Sequence, residues 1–335
     1  MYGHPTPIDG PSNRRRAAIF GIVLVFVAAL FLCVLGWSLR GALPVRQRAP
    51  ANLPDARWTV AGTLATPRDD FGSAVAAGKI YVFGGMIGER GNRLDTGEIY
   101  DPATGRWSPG PTLTGARSSF RAAALGDTIY LAGGSSNERP TIDLVEAFDT
   151  TTSRWRTLAP LPLPRFGHGL VALDGRIWAI GGYSGGQGVA DVQVYDPATD
   201  RWAAGPPLPT PRYNLATVVA DGKIWALGGW VGDGPSTRVE VFDPRQGGWS
   251  AAPDLTVPMS NFGAAVVADR IHVMHHDAHL GFASAGGRRW LAEEAMPTSR
   301  HGQAVVAVGE TLYAIGGCYR DPQYDLDVTE ALVPR

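Results

Sequence analysis

Five arginines stand at one phase of a recurring pattern: Arg68, Arg117, Arg165, Arg212 and Arg300, with Met259 in the phase before the last. The six positions are spaced 49, 48, 47, 47 and 41 residues apart. Guanidiniums gathered on one rim would attract carboxylates, sulfates or acidic loops, often through paired N–H bonds. A residue repeated in nearly every copy can equally serve the copy itself, by bonding a loop carbonyl. Residues that do not recur speak more directly of a site. Tyr183, Trp230 and Tyr319 follow glycine pairs, Tyr213 and His301 follow two of the arginines, and His168 is close to a third. Aromatics beside arginine can stack on a sugar face or anchor a partner loop; packing between adjacent repeats is the other role open to them. Acid–base chemistry needs a Glu, Asp or His within reach of a substrate, and His168, His301, Asp69 and Asp70 are the residues placed for it.

Other signals point to chemistry less well. His272, His275, His276 and His279 fall within eight residues, and neutral imidazoles suit zinc or copper. Neighbours on a strand face opposite ways, so His275 and His276 do not share a metal if that segment is extended; a decayed repeat explains the cluster. Residues 182–186 read Gly-Tyr-Ser-Gly-Gly, which matches a nucleophile elbow by letter. That motif needs a strand-to-helix turn, whereas here the loop joins two strands. The glycine-rich run 181–188 fails as a dinucleotide site for the same reason. No catalytic residue, metal ligand or cofactor is assigned.

The elements that must position these residues follow from two further ladders. Hydrophobic runs end in Gly84-Gly85, Gly133-Gly134, Gly181-Gly182, Gly228-Gly229 and Gly316-Gly317, with His275-His276 in register. Trp58, Trp107, Trp155, Trp202, Trp249 and Trp290 keep the same spacing. A shared period just under fifty marks an internal repeat of propeller type. Within a copy, Asp174-Gly175 between apolar runs signals a hairpin. Asp196-Pro197 is a second turn before Trp202, where Asp bonds its own backbone and Pro presets φ. Tyr100, Phe148, Tyr195 and Phe242 stand seven residues ahead of their tryptophans. In blade five Phe282 is one position off, which leaves that copy without the expected aromatic. Each copy is a four-stranded antiparallel sheet that needs neighbours on both faces, so the fold class is all-β, a six-bladed β-propeller.

The diglycine closing the second strand, followed by the spaced aromatic and Trp, resembles the Kelch repeat from about Arg57 onward. The resemblance implies a closed ring in which an N-terminal strand, residues 56–61, completes the last blade beside residues 328–333. Pairing the two ends removes an open sheet edge. Related six-bladed proteins of bacterial type include N-acetylneuraminate epimerase, a sugar-acid mutarotase whose Arg clamp holds the substrate carboxylate. Copper oxidases resembling galactose oxidase have seven blades and a ligand set not matched here.

Charge and the N-terminus complete the organisation. The net charge is −1. Residues 1–57 hold seven Arg and two Asp, or +5, which leaves −6 for the rest. A mildly acidic propeller without a basic patch argues against nucleic acid. Residues 17–37 carry no charge and are long enough for a membrane-spanning helix. Arg14, Arg15 and Arg16 precede that run, so residues 1–16 are expected in the cytoplasm and the propeller outside it. The run is long for a cleaved signal peptide, and Leu30-Phe31-Leu32 before Cys33 lacks a lipoprotein's small residue. Residues 38–55, with Pro44, Pro50 and Pro54, read as an extended tether. Cys33 and Cys318 are expected too far apart to pair.

Taken together, these readings describe a membrane-anchored, extracytoplasmic recognition module at the cell membrane. Its partner at one rim is expected to be a protein or an anionic glycan. A sugar-acid-processing enzyme and a structural cell-surface role are the alternatives.

Overall fold

The computed structural model describes residues 58–88, 91–319 and 324–333; the expected membrane segment and tether lie outside them. Six four-stranded antiparallel sheets follow one another. Blade one is Gly72–Ala76, Lys79–Phe83, Gly97–Asp101 and Arg106–Pro109, paired in chain order from the inside outward. Blades two, three and four repeat it, starting at Arg121–Leu125, Gly169–Leu173 and Ala216–Ala220. Blade five is Gly263–Val267, Arg270–His275, Ala278–Ala283 and Leu291–Ala292. Blade six takes Ala304–Val308, Thr311–Ile315 and Val328–Leu332 from the end of the chain and Trp58–Thr63 from its start. The two ends pair antiparallel, from Trp58 opposite Leu332 to Thr63 opposite Val328. An irregularity between Val60 and Gly62 lets the pairing run two residues past the expected end.

The core is a set of apolar clusters between neighbouring blades. Between blades one and two, Tyr81, Phe83, Phe120, Leu131 and Phe148 pack together. Equivalent clusters fill the remaining interfaces. The Asp turns hold as their chemistry requires: Asp101, Asp149, Asp196 and Asp243 each accept from a backbone N–H two residues on, at 2.9 Å.

Blade five is shorter for a visible reason. Its second and third strands are joined by His276 and Asp277 alone, with His275 opposite Ala278. Phe282 nevertheless takes the aromatic place. It lies opposite Ile271, with its ring 4.9 Å from Trp290 and 5.5 Å from Trp225. The turn keeps the bond of the other blades, Gly287 donating to Ala283 at 3.1 Å as Gly105 does to Asp101, so the extra residue falls between Gly287 and Trp290.

Candidate functional site

The loops entering the first strands and those leaving the glycine pairs meet on one rim. Asp69 bridges to Met86, Ser118 to Ser135, Phe166 to Tyr183, Tyr213 to Trp230 and His301 to Cys318. The five repeated arginines lie beneath this rim, not on it. Arg68, Arg165, Arg212 and Arg300 are 0% exposed and Arg117 1%. Arg68 donates to the carbonyls of Gly84 and Thr96 at 2.8 and 2.9 Å and to Glu98 at 2.8 Å. Arg117 reaches Glu146 at 2.6 Å, Arg212 reaches Glu240 and Arg300 reaches Glu330, both at 2.5 Å. Arg165 pairs with Asp191. Burial lowers the pKa of all five guanidiniums, and for four of them it is the carboxylate charge that most opposes the shift; for Arg165 the hydrogen bond to Asp191 opposes it first. Contrary to the expectation of a guanidinium ring that contacts a ligand, the column is buried and bonds within its own blades, with Arg117 Nε and Arg212 Nε left without a partner.

His168 does not reach the rim surface either. It is fully buried, in the position that holds Phe71, Phe120 and Phe262 in other blades, and burial drives its pKa well down. It belongs to the interblade core.

Three of the predicted aromatics come together. Tyr183 and Tyr213 lie 5.1 Å apart edge to face, and Tyr213 and Trp230 lie 6.4 Å apart. Phe166, which sequence reasoning missed, joins them at 4.9 Å from Tyr183. All four are half-buried, so blades three and four present one continuous aromatic patch. Short hairpins hold two of these rings, Tyr183–Ser184 against Gln187–Gly188 and Trp230–Val231 against Gly234–Pro235. Tyr319 is 38% exposed and stands apart, on blade six.

At blades six and one the rim carries acid and thiol groups. The Cys318 sulfur lies 3.2 Å from His301 Nε2. Asp69 is buried with Oδ1 unpartnered. Burial, and next the Asp70 charge, push its carboxyl up to about 8. Asp325 accepts from the Gly88 N–H at 2.5 Å. Cys318 and Asp325 were not singled out in the sequence. Among the described residues, no group of three or more His, Cys, Asp or Glu is arranged to hold a metal ion.

Between these regions opens the central channel, with a cavity of about 380 Å³ lined in part by Asp70, Ser73, Arg121, Thr217, Asn261 and Gln303. A closed circle of backbone bonds forms its neck. Asp70 donates to Gly302, Gly302 to Asn261, Asn261 to Asn214, Asn214 to Gly167, Gly167 to Ser119 and Ser119 to Asp70, at 2.6–2.9 Å. All six residues have left-handed backbone, φ 49–65. Asp and Asn tolerate that conformation better than most residues, and Gly adopts it freely. Their recurrence two residues after each arginine, and after Met259 in blade five, was the signal available in the sequence. Arg121 stands where the other blades have Gly or Ala. Its one hydrogen bond among the described residues goes to the Phe120 carbonyl at 3.1 Å.

Repeat, sheet order and closure define an all-β, six-bladed propeller. The chain carries Kelch-repeat domains: residues 52–207 match the KLHDC2/KLHL20/DRC7 Kelch-repeats domain and residues 211–256 the Kelch motif. No curated protein matches the chain. The solved structure of YjhT is similar, with a TM-score of 0.69 at 14% identity, covering 79% of this chain and 95% of that one. At that identity the likeness shows the fold.

Proposed function

We propose that the chain is an extracytoplasmic recognition module, anchored through residues 17–37, that binds a protein segment or a glycan on the rim of blades three and four. The observation that supports this is the patch of Phe166, Tyr183, Tyr213 and Trp230, four adjoining, partly exposed rings. Aromatic rings bury much area at little conformational cost and anchor partners by their faces. The test is a glycan array and surface proximity labelling with the full chain, beside Tyr213→Ala with Trp230→Ala. Loss of a specific signal in the double variant is expected; a signal that survives it rejects this face. Protease protection in intact cells reports the orientation, and a protected propeller rejects the extracytoplasmic placement.

One observation favours a second reading, a sugar-acid-processing enzyme similar to N-acetylneuraminate epimerase. Arg121 and Asp70, from neighbouring blades, both line the channel cavity, and Asp69 and His301 lie at the mouth. A substrate carboxylate would sit on Arg121, with Asp69 or His301 moving the proton. Faster mutarotation of a sugar acid, abolished by Arg121→Ala, supports that reading; the uncatalysed rate in both proteins rejects it.

A further inference from the structure

Blade five carries less chain than blade four on the rim that bears the aromatic patch. Its second and third strands are joined by His276 and Asp277 alone. Blade four inserts residues 228–238 at that point, with the hairpin of Trp230–Val231 against Gly234–Pro235. The residue that bridges to the inserted loop is Phe166 in blade three and Tyr213 in blade four; the same place in blade five is Ser260. The aromatic row therefore stops at Trp230, and the rim steps down beside it into a notch over blade five.

The notch is acidic on groups that solvent reaches. Asp233 lies at the tip of the Trp230 hairpin, Asp277 in the two-residue turn and Asp254 in the segment entering blade five, and all three are exposed. Asp254 accepts from the Val239 N–H at 3.2 Å. Asp233 and Asp277 neither accept a hydrogen bond nor join an ion pair among the described residues. Against these three carboxylates the rim segments of blades four and five set one exposed cation, Arg238. The repeated arginines add no charge to the surface, because each is buried against a carboxylate of its own blade. His275 and His301, whose rings lie 4.1 and 5.4 Å from His276, add none at neutral pH. Burial, and next the His276 charge, lower His275 to about 3, and burial lowers His301.

We infer that this notch takes an arginine side chain from an extended, basic segment of a partner protein. The inference rests on the reading of the rim as a binding face and gives that face its sign. A guanidinium stacks on aromatic rings and presents a fork of N–H donors to carboxylates. At the end of the aromatic row it meets both, Trp230 on one side and the exposed carboxylates of Asp233 and Asp277 on the other. A lysine supplies the charge without the planar fork. An acidic segment is repelled by the same carboxylates, which is how like charge rejects the wrong partner. The remainder of the segment lies along Tyr213, Tyr183 and Phe166.

The experiment screens the full chain on an array of short peptides with varied uncharged flanks and a central Arg, Lys, Gln or Glu. Fluorescence anisotropy then gives the affinities of the strongest. Arg peptides are expected to bind about tenfold or more tighter than their Gln counterparts, the worth of a charge-assisted hydrogen bond, with Lys between them and Glu weakest. Asp233→Asn with Asp277→Asn is expected to remove that preference at an unchanged thermal midpoint, and Asp233→Lys alone to weaken Arg peptides more than Gln peptides. Equal binding of Arg and Gln peptides to wild type, a preference that survives the double variant, or no peptide binding at all overturns the proposal. If Tyr213→Ala with Trp230→Ala abolishes binding while the aspartate variants change nothing, the aromatic face stands and the acidic notch falls. If neither set of variants alters binding, both readings fall.

Discussion

At the residue scale, two recurring columns turn out to be one device. The second glycine of four pairs donates its N–H to the carbonyl of the next blade's arginine: Gly85 to Arg117, Gly134 to Arg165, Gly182 to Arg212 and Gly317 to Arg68, at 2.8–2.9 Å, and Gly229 donates likewise to Met259 at 2.8 Å. A Cβ on the first glycine would meet that same carbonyl, as at Gly181, where it would come within 2.7 Å of Arg212 O. The arginine side chain then pairs with its own blade's carboxylate. Blade five shows what happens when the pair is lost as a unit: Met259 replaces the arginine, and Leu280 lies where the other blades carry Glu or Gln. Removing one partner of a buried pair costs about 3–5 kcal/mol, whereas replacing both with apolar groups is close to neutral. Arg212→Met is therefore expected to lose about that much in urea unfolding, with Glu240→Leu in the same chain recovering most of it. Asp69 supplies a pH test. Its folded pKa, about 8, lies above the unfolded value near 4, so the protonated acid is favoured by folding. Stability from this group is full below pH 4 and is lost as pH rises towards 8, at up to about 1.4 kcal/mol per unit. Asp69→Asn is expected to raise the thermal midpoint at pH 8 and leave it nearly unchanged at pH 4. An equal shift at both pH values would contradict the assignment.

At the scale of the element, the neck circle holds the inner strands in register. Gly167 has φ 59, and a Cβ there would lie 2.3 Å from Asn214 Oδ1. Gly167→Ala is expected to cost about 1–2 kcal/mol from the left-handed backbone, with the displaced Asn214 adding to it. Chemical denaturation measures the loss, and a neutral result would show that the circle yields without cost. Blade five tells a related story. Its irregular spacing suggested a missing aromatic, yet Phe282 bridges Trp225 and Trp290 because antiparallel pairing, not distance along the chain, sets its place. Phe282→Ala should cost about 3–5 kcal/mol, as large core truncations do.

At the scale of the whole molecule, closure joins residues more than 260 positions apart. Trp58 is 7% exposed and pairs opposite Leu332, so the first strand covers an edge that would otherwise be open to another chain. Replacing Val60 by Pro in this strand removes a ladder donor. The expected outcome is a lower thermal midpoint and concentration-dependent association in light scattering; a monodisperse, equally stable variant would show that the strand is dispensable to closure.

Repetition made the propeller legible, because glycine, aromatic and turn columns each report a local backbone demand that recurs in phase. The sequence by itself determined the blade count, the strand order within a blade and the rim on which the loops gather. It also singled out Tyr183, Tyr213 and Trp230, since bulky rings beside glycine turns break the repeat. It did not determine that the arginines face inward, because a column of cations reads alike whether its carboxylates lie across a blade or on a ligand. The place of Arg121 on the channel, the closure of the neck circle and the Asp69–Cys318 cluster were decided only by tertiary structure. Each depends on residues from different blades, whose distances in space follow from closure of the ring and not from any spacing along the chain.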